Sequence, residues 1–130
     1  MSTFRFSLEN EDSLIRVDVQ MGRSDFTLAL DTGATHTLID LTVMLLNGYD
    51  LSQVIRTVEF ETAKGTINAY VFWVPSLTAL GRTVRNVEVS SYDFIGNTIG
   101  FDIDGVLGLD FFKGTGLMLD FKNYEITLTH

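Results

Sequence analysis

Short stretches in which apolar and polar residues alternate, each closed by a turn signal, recur along this 130-residue chain and restrict its fold more than any other feature. A period of two places every apolar side chain of a strand on one face, so such a stretch buries itself only by pairing into a sheet with that face inward. Phe4-Arg5-Phe6-Ser7-Leu8 shows the pattern first and runs into the polar group Glu9 to Ser13. Leu14 to Met21 repeats it through Ile15, Val17 and Val19. Gly22-Arg23-Ser24-Asp25 then supplies a turn before Phe26-Thr27-Leu28-Ala29-Leu30, which makes a hairpin.

The same reading continues downstream. Thr35 to Asp40 is rich in β-branched residues and reads as a short strand. Leu41 to Leu46 fits a short helix capped by Asp40 and stopped at Asn47-Gly48, with strand as the alternative. Val54 to Thr62 and Thr66 to Val74 form a second hairpin around Ala63-Lys64-Gly65, and Pro75 marks an irregularity or an edge. Thr83 to Val89 is a further strand, and Ser90 to Gly100 reads as loop. Leu109 to Lys113 begins a helical turn, and Gly116 to Phe121 with Tyr124 to Thr129 closes the chain as a hairpin on a Lys122-Asn123 turn. Eight or more short strands with at most two short helices define an all-β domain, a closed or sandwich-like barrel, expected to span 1–130 as one unit.

Chemistry is expected where the second strand ends. Ala29-Leu30-Asp31-Thr32-Gly33-Ala34 delivers one carboxylate from an apolar run straight into a small-residue turn. A carboxylate at the edge of a core costs free energy unless it is paired or hydrogen-bonded, so Asp31 is a candidate acid or base. Asp-Thr-Gly is also good turn chemistry by itself, and a capped turn residue is the alternative reading.

Composition removes several function classes. Seventeen acidic against nine basic residues give a net charge of -8 with no basic cluster, which argues against nucleic acid and anionic membrane as partners. With no cysteine, disulfides, thiolate zinc sites and cysteine nucleophiles are excluded. Met1 to Phe6 lacks the apolar core of a signal peptide, and no run approaches the ~20 residues that span a bilayer, so a cytoplasmic location is expected. Asp102-x-Asp104-Gly105 has its glycine too early for a calcium loop and reads as a turn. His36 has no nucleophile elbow to accompany it and reads as a strand-surface residue. Trp73 and the ten phenylalanines are expected in the core or packed under the hairpin, with some lining an apolar cleft.

Leu30-Asp31-Thr32-Gly33-Ala34, followed by Thr37-Leu38-Ile39-Asp40, resembles the active-site segment of the retropepsin-like aspartic proteases. Val106-Leu107-Gly108 is similar to that family's second signature, two apolar residues and a glycine near the end of the domain. The run from Leu109 to Leu128 is similar to the cellular and bacterial single-domain members. The resemblance extends from about Leu14 to the C-terminus and implies a closed barrel of the acid-protease type.

It also implies a division of labour. Asp31 would be catalytic, Thr32 would donate its hydroxyl across a two-fold axis, and Gly33 would let the loop turn and offer its carbonyl to substrate. Ala34, Thr35, Val106 and Leu107 would line the substrate site, with Lys64, Gly65 and Thr66 at the tip of a flap. Such chemistry needs two carboxylates sharing a proton, and the chain has a single Asp-Thr-Gly. A homodimer acting on a peptide or protein substrate is therefore implied, with no metal and no cofactor. A non-catalytic dimeric peptide-binding or interaction module is the alternative, and an all-β interaction domain without a cleft is a third. Thr35-His36 stands where retroviral enzymes carry acidic residues, and Leu109 stands where they carry an arginine that braces the dimer.

Overall fold

A computed structural model describes residues 2–8, 14–62, 65–93 and 103–130. Its strands are β1 (Ser2–Arg5), β2 (Arg16–Met21), β3 (Ser24–Leu30), β4 (Leu38–Asp40), β5 (Val54–Thr62), β6 (Gly65–Ala79), β7 (Arg82–Tyr92), β8 (Gly105–Leu107), β9 (Gly116–Asp120) and β10 (Glu125–Thr129). One helix, α1 (Leu41–Leu46), and two 3₁₀ turns, Leu51–Gln53 and Leu109–Phe112, complete the described elements. Within them, no helix is long and apolar enough to cross a membrane.

Seven strands run in the order β2-β3-β8-β4-β7-β6-β5, and β2 also pairs with β6. Six of them therefore close into a ring, while β5 hangs outside it on β6. The expected closed all-β barrel is the observed fold, and the sandwich-like alternative falls away. A separate three-stranded sheet, β1-β10-β9, joins the start of the chain to its end.

Alternation builds the core. In β2, Val17, Val19 and Met21 are buried while Asp18 and Gln20 face out, and from β3 Phe26 and Leu28 meet them. Ile39, Phe72, Val74, Val89 and Leu107 complete the interior of the ring. Each such side chain contributes roughly 1.5–3 kcal/mol relative to leaving it in water, which makes the ring the stable frame of the molecule.

Several expectations shift. The first strand is Ser2–Arg5 in place of residues 4–8, because pairing with β10 aligns Ser2 with Leu128 and Arg5 with Glu125. Thr35 and His36 lie in a bend, and β4 begins only at Leu38, so His36 is an exposed bend residue and not part of a strand. Leu41–Leu46 is helical as preferred; Asp40 takes the N-cap position without a side-chain capping bond. The strand begun at Thr66 extends to Ala79 and runs through Pro75. This is tolerated because one edge of β6 changes partner there, from β5 at Phe72 to β2 at Leu77, so no ladder bond is asked of the proline. Ser90 to Tyr92 belongs to β7 and is not loop; residues 94–100 of that expected loop lie outside the described residues. Trp73 is half exposed, whereas Phe6, Phe26, Phe72, Phe111 and Phe112 are buried.

Candidate active site

Asp31 sits where β3 leaves the ring. Its backbone N–H donates to the Leu107 carbonyl at 3.1 Å, and the Ala34 N–H returns to the Asp31 carbonyl at 3.1 Å, which closes a tight turn over Thr32-Gly33. Gly33 N–H donates to Asp31 Oδ1 at 2.9 Å, so one carboxylate oxygen is committed to the turn. Asp31 is half-buried, and Thr32 and Gly33 beside it are exposed. Asp31 thus lies at the end of a barrel strand with its side chain fixed by its own loop.

Val106-Leu107-Gly108 threads between the two chain segments that carry this loop. Parallel pairing aligns Leu28 with Gly105, Ala29 with Val106 and Leu30 with Leu107. On its other side β8 runs antiparallel to β4, with Leu38 opposite Val106. The Leu107 side chain is 0% exposed and fills the barrel, so toward the loop it presents its carbonyl; Val106 is half-buried. Segments 75 or so residues apart in the chain thus form one crossing, a proximity that follows from parallel pairing alone.

A second set of bonds holds this crossing from behind. Thr37, 1% exposed, donates its hydroxyl to Asp110 Oδ1 at 2.7 Å and its N–H to both carboxylate oxygens at 3.0 Å. Its hydroxyl accepts from the Gly108 N–H at 3.1 Å, and the Leu109 N–H donates to the Ala34 carbonyl at 2.8 Å. Asp104 straps the ring just ahead of β8: its carboxylate accepts from Thr27 N–H at 2.9 Å and its carbonyl accepts from Asp40 N–H at 2.7 Å. Sequence reading placed Asp104 in a turn and gave Asp110 and Thr37 no role beyond the family pattern. No local pattern marks the pair, because 73 residues separate them.

Beside the Asp31 loop lies a pocket of about 210 Å³ lined by Gly33, Ala34, Thr35, His36, Leu38 and Phe60. It brings Ala34 and Thr35 together with the strand leading to the hairpin tip. Phe60, on β5, was not singled out by sequence reading; its position in an alternating strand gave no sign of which partner it would face. Gly65 and Thr66 open β6 at that tip and are exposed, and Lys64 lies outside the described residues. A larger cavity of about 470 Å³, lined among others by Asp18, Asp25, Thr78 and Asp104, contains none of the Asp31 loop. Chemistry therefore favours the smaller pocket. His36 lies between it and a neighbouring groove lined by Glu88 and Asp110, with its Nδ1 at 2.9 Å from the Thr35 hydroxyl.

Among the described residues no group of three or more histidine, aspartate or glutamate side chains is arranged to hold a metal ion. Residues 15–111 match the family model described as aspartyl protease. The chain belongs to the aspartyl protease family. Its fold is that of the retropepsin-like members: a retropepsin-like aspartic protease from Rickettsia conorii superposes with a TM-score of 0.74 at 19% identity, over 98% of this chain and 99% of that one. A search of curated protein sequences finds no match to this aspartyl-protease chain. The matched region includes both the Asp31 turn and Val106-Leu107-Gly108, the two segments that the barrel brings into contact.

Proposed function

We propose that this protein is an aspartic endopeptidase that works as a homodimer, with Asp31 of each subunit meeting at the two-fold axis. The observation that carries the reading is the Asp31 turn itself. It presents a half-buried Asp31 and an exposed Thr32-Gly33 at the end of a barrel strand, within a chain of the aspartyl protease family. A single carboxylate cannot both take a proton from water and give one to a carbonyl oxygen. Two, placed too close to ionise together, share one proton and divide those tasks.

In this mechanism a water held between the two Asp31 side chains loses a proton to the ionised one as its oxygen attacks the scissile carbonyl. The protonated partner gives its proton to the carbonyl oxygen, producing a neutral tetrahedral diol. On collapse the protonated Asp31 gives its proton to the departing amine, the C–N bond breaks, and the other Asp31 takes a proton from a diol hydroxyl as the product carboxylic acid forms; this restores a singly protonated pair with no covalent intermediate. Thr32 fastens the two loops across the axis, Gly33 offers its carbonyl to the substrate backbone, and the 210 Å³ pocket at Ala34, Leu38 and Phe60 receives a substrate side chain. The β5–β6 hairpin, with Gly65 and Thr66 opening β6 at its tip, closes over the peptide and excludes water, and Lys64 is assigned to the same contact by the family resemblance alone.

The test is incubation of the whole chain with a mixed peptide library from acidic to neutral pH, alongside Asp31→Asn, with solution mass measured on both. Cleavage that vanishes in Asp31→Asn, from a species of twice 14.5 kDa, supports the reading. Cleavage that persists in the variant overturns it. Peptide retained uncut by a dimer identifies a binding module instead.

A further inference from the structure

We propose that Asp110 and Thr37 are positioning residues for Asp31, acting through the Leu107–Gly108 peptide group. The inference rests on the endopeptidase reading for its catalytic consequence, and on bond geometry alone for its structural one.

One peptide unit faces both ways. Its carbonyl, from Leu107, accepts the Asp31 N–H at 3.1 Å, and its N–H, from Gly108, donates to Thr37 Oγ1 at 3.1 Å. The Thr37 hydroxyl in turn donates to Asp110 Oδ1 at 2.7 Å. Every donor in this row points toward the Asp110 carboxylate: Asp31 N–H to the peptide oxygen, peptide N–H to the hydroxyl, hydroxyl to the anion. Hydrogen bonds arranged head to tail polarise one another, and an ionised acceptor at the end strengthens the whole row. The Leu107 carbonyl thereby becomes a better acceptor for Asp31 than an isolated amide.

Steric fit supports the same assignment. A Cβ at Gly108 would lie 2.6 Å from the His36 carbonyl carbon and oxygen and 2.9 Å from the Ala34 oxygen. The Gly108 backbone therefore lies directly against the backbone of Ala34 and His36, so a shift of this peptide group is passed to the Asp31 turn. Thr37 is held twice over, since its N–H also reaches both Asp110 oxygens at 3.0 Å, which leaves its hydroxyl one orientation in which it accepts from Gly108 and donates to Asp110. Asp31 is thus set by an acid 79 positions further along the chain.

The experiment compares Asp110→Ala, Asp110→Asn, Thr37→Val and Thr37→Ser in the whole chain, reading kcat and KM on a cleaved peptide and amide hydrogen exchange at Asp31 and Gly108. Asp110→Ala and Thr37→Val are expected to lower kcat by about tenfold or more with KM changed less than about threefold, because misplacing a reacting group acts on the chemical step. Both speed exchange at Asp31. Thr37→Ser, which keeps the hydroxyl, recovers most of kcat and the protection; Asp110→Asn, which keeps an acceptor without the charge, falls between. The double variant Asp110→Ala/Thr37→Val is no worse than the poorer single one, as expected for one row of bonds. Thr37→Ser as impaired as Thr37→Val, or Asp31 exchange unmoved in folded Asp110→Ala, overturns the proposal. If the unaltered chain cuts no peptide, the endopeptidase reading fails and the exchange results still decide the positioning role.

Discussion

The Asp31 loop and the β5–β6 hairpin face each other across the 210 Å³ pocket, and they are held in opposite ways. The loop is tied to the ring from within. Thr37 and Leu107 are almost wholly buried, and the bonds between Thr37, Gly108 and Asp110 connect chain segments more than 70 residues apart. The hairpin is tied along one edge: among the described strands, β5 pairs with β6 alone. Ile55, Arg56, Thr57, Glu59 and Glu61 along it are exposed, and its described side-chain brace is a surface ion pair from Arg56 to Glu88 on β7. Under the proposed function, a carboxylate that meets its partner within hydrogen-bonding reach needs the first kind of support, and a segment that opens for an extended chain and then closes needs the second.

Substitutions on the two sides should separate accordingly, and the largest effect belongs to the carboxylate. Asp31→Asn keeps the size of the side chain and the Gly33 bond to Oδ1 but removes the titrating group, so peptide cleavage is expected to fall by about a thousandfold or more. Thermal unfolding should show the variant as stable as its parent. Next come the glycines, one on each side. Gly108→Ala pushes a methyl into the His36 backbone, with Cβ 2.6 Å from its carbonyl, and overpacking of this kind costs about 1–3 kcal/mol. Denaturant unfolding should report that loss for the whole domain, with activity falling further than stability. Gly65→Ala meets open space but inherits a φ of +118°, which L side chains avoid, so its strain of about 1–2 kcal/mol stays at the hairpin tip. Equal losses of global stability in the two variants would remove the distinction between a braced loop and a free-standing hairpin.

Phe60 belongs to both sides, since β5 carries it into the pocket formed by the loop. Phe60→Ala should raise KM by several-fold with a smaller change in kcat, because it removes contact with a substrate side chain and leaves the Asp31 supports intact. A kcat loss as large as that of Gly108→Ala would show that β5 helps position the carboxylate, and that the two regions are one.

How legible these regions were in the sequence differs for the same physical reason. The ring is written locally. The alternation in Val17-Asp18-Val19-Gln20-Met21 and the Gly22-Arg23 turn give the β2–β3 hairpin without tertiary knowledge, and Leu30-Asp31-Thr32-Gly33 announces a carboxylate leaving a buried strand. Resemblance supplied Val106-Leu107-Gly108 as its companion, and parallel pairing of β3 with β8 brings the two together. What local pattern does not contain is the use made of polar residues by distant segments. Ser90 and Ser91 look like loop, yet they are buried because β4 pairs with them and the Ser91 hydroxyl donates to the Ile39 carbonyl at 2.6 Å. Thr37 and Asp110 look like a strand residue and a turn residue, and only the crossing reveals their bond. Polar side chains reward a partner, and a partner found across the fold leaves no period in the sequence.

The smallest expected effect concerns the hairpin's ion pair, and its sign follows from the groups themselves. Hydrogen bonding to Arg56 lowers the Glu88 carboxyl from its ordinary value, outweighing an opposing desolvation, and the charges of Arg56 and His36 add smaller contributions in the same direction as the bond. Arg56 is correspondingly raised by the same bond. A carboxyl depressed in the folded state contributes fully above its unfolded value and loses that contribution as pH falls from there through the folded one, so the brace is complete near neutrality and is released on acidification. Both side chains are exposed, so salt screens them and global stability should not move measurably in Glu88→Gln. What should move is local: amide exchange along β5 should quicken in Glu88→Gln at neutral pH, quicken in the parent on acidification, and become equal in the two at high salt. Exchange at Asp31 should stay unchanged throughout, because nothing in the Thr37–Asp110 row depends on Arg56. Coupled changes at both places would mean that the hairpin and the loop open together, and that the acid-released ion pair governs the site as well as its cover.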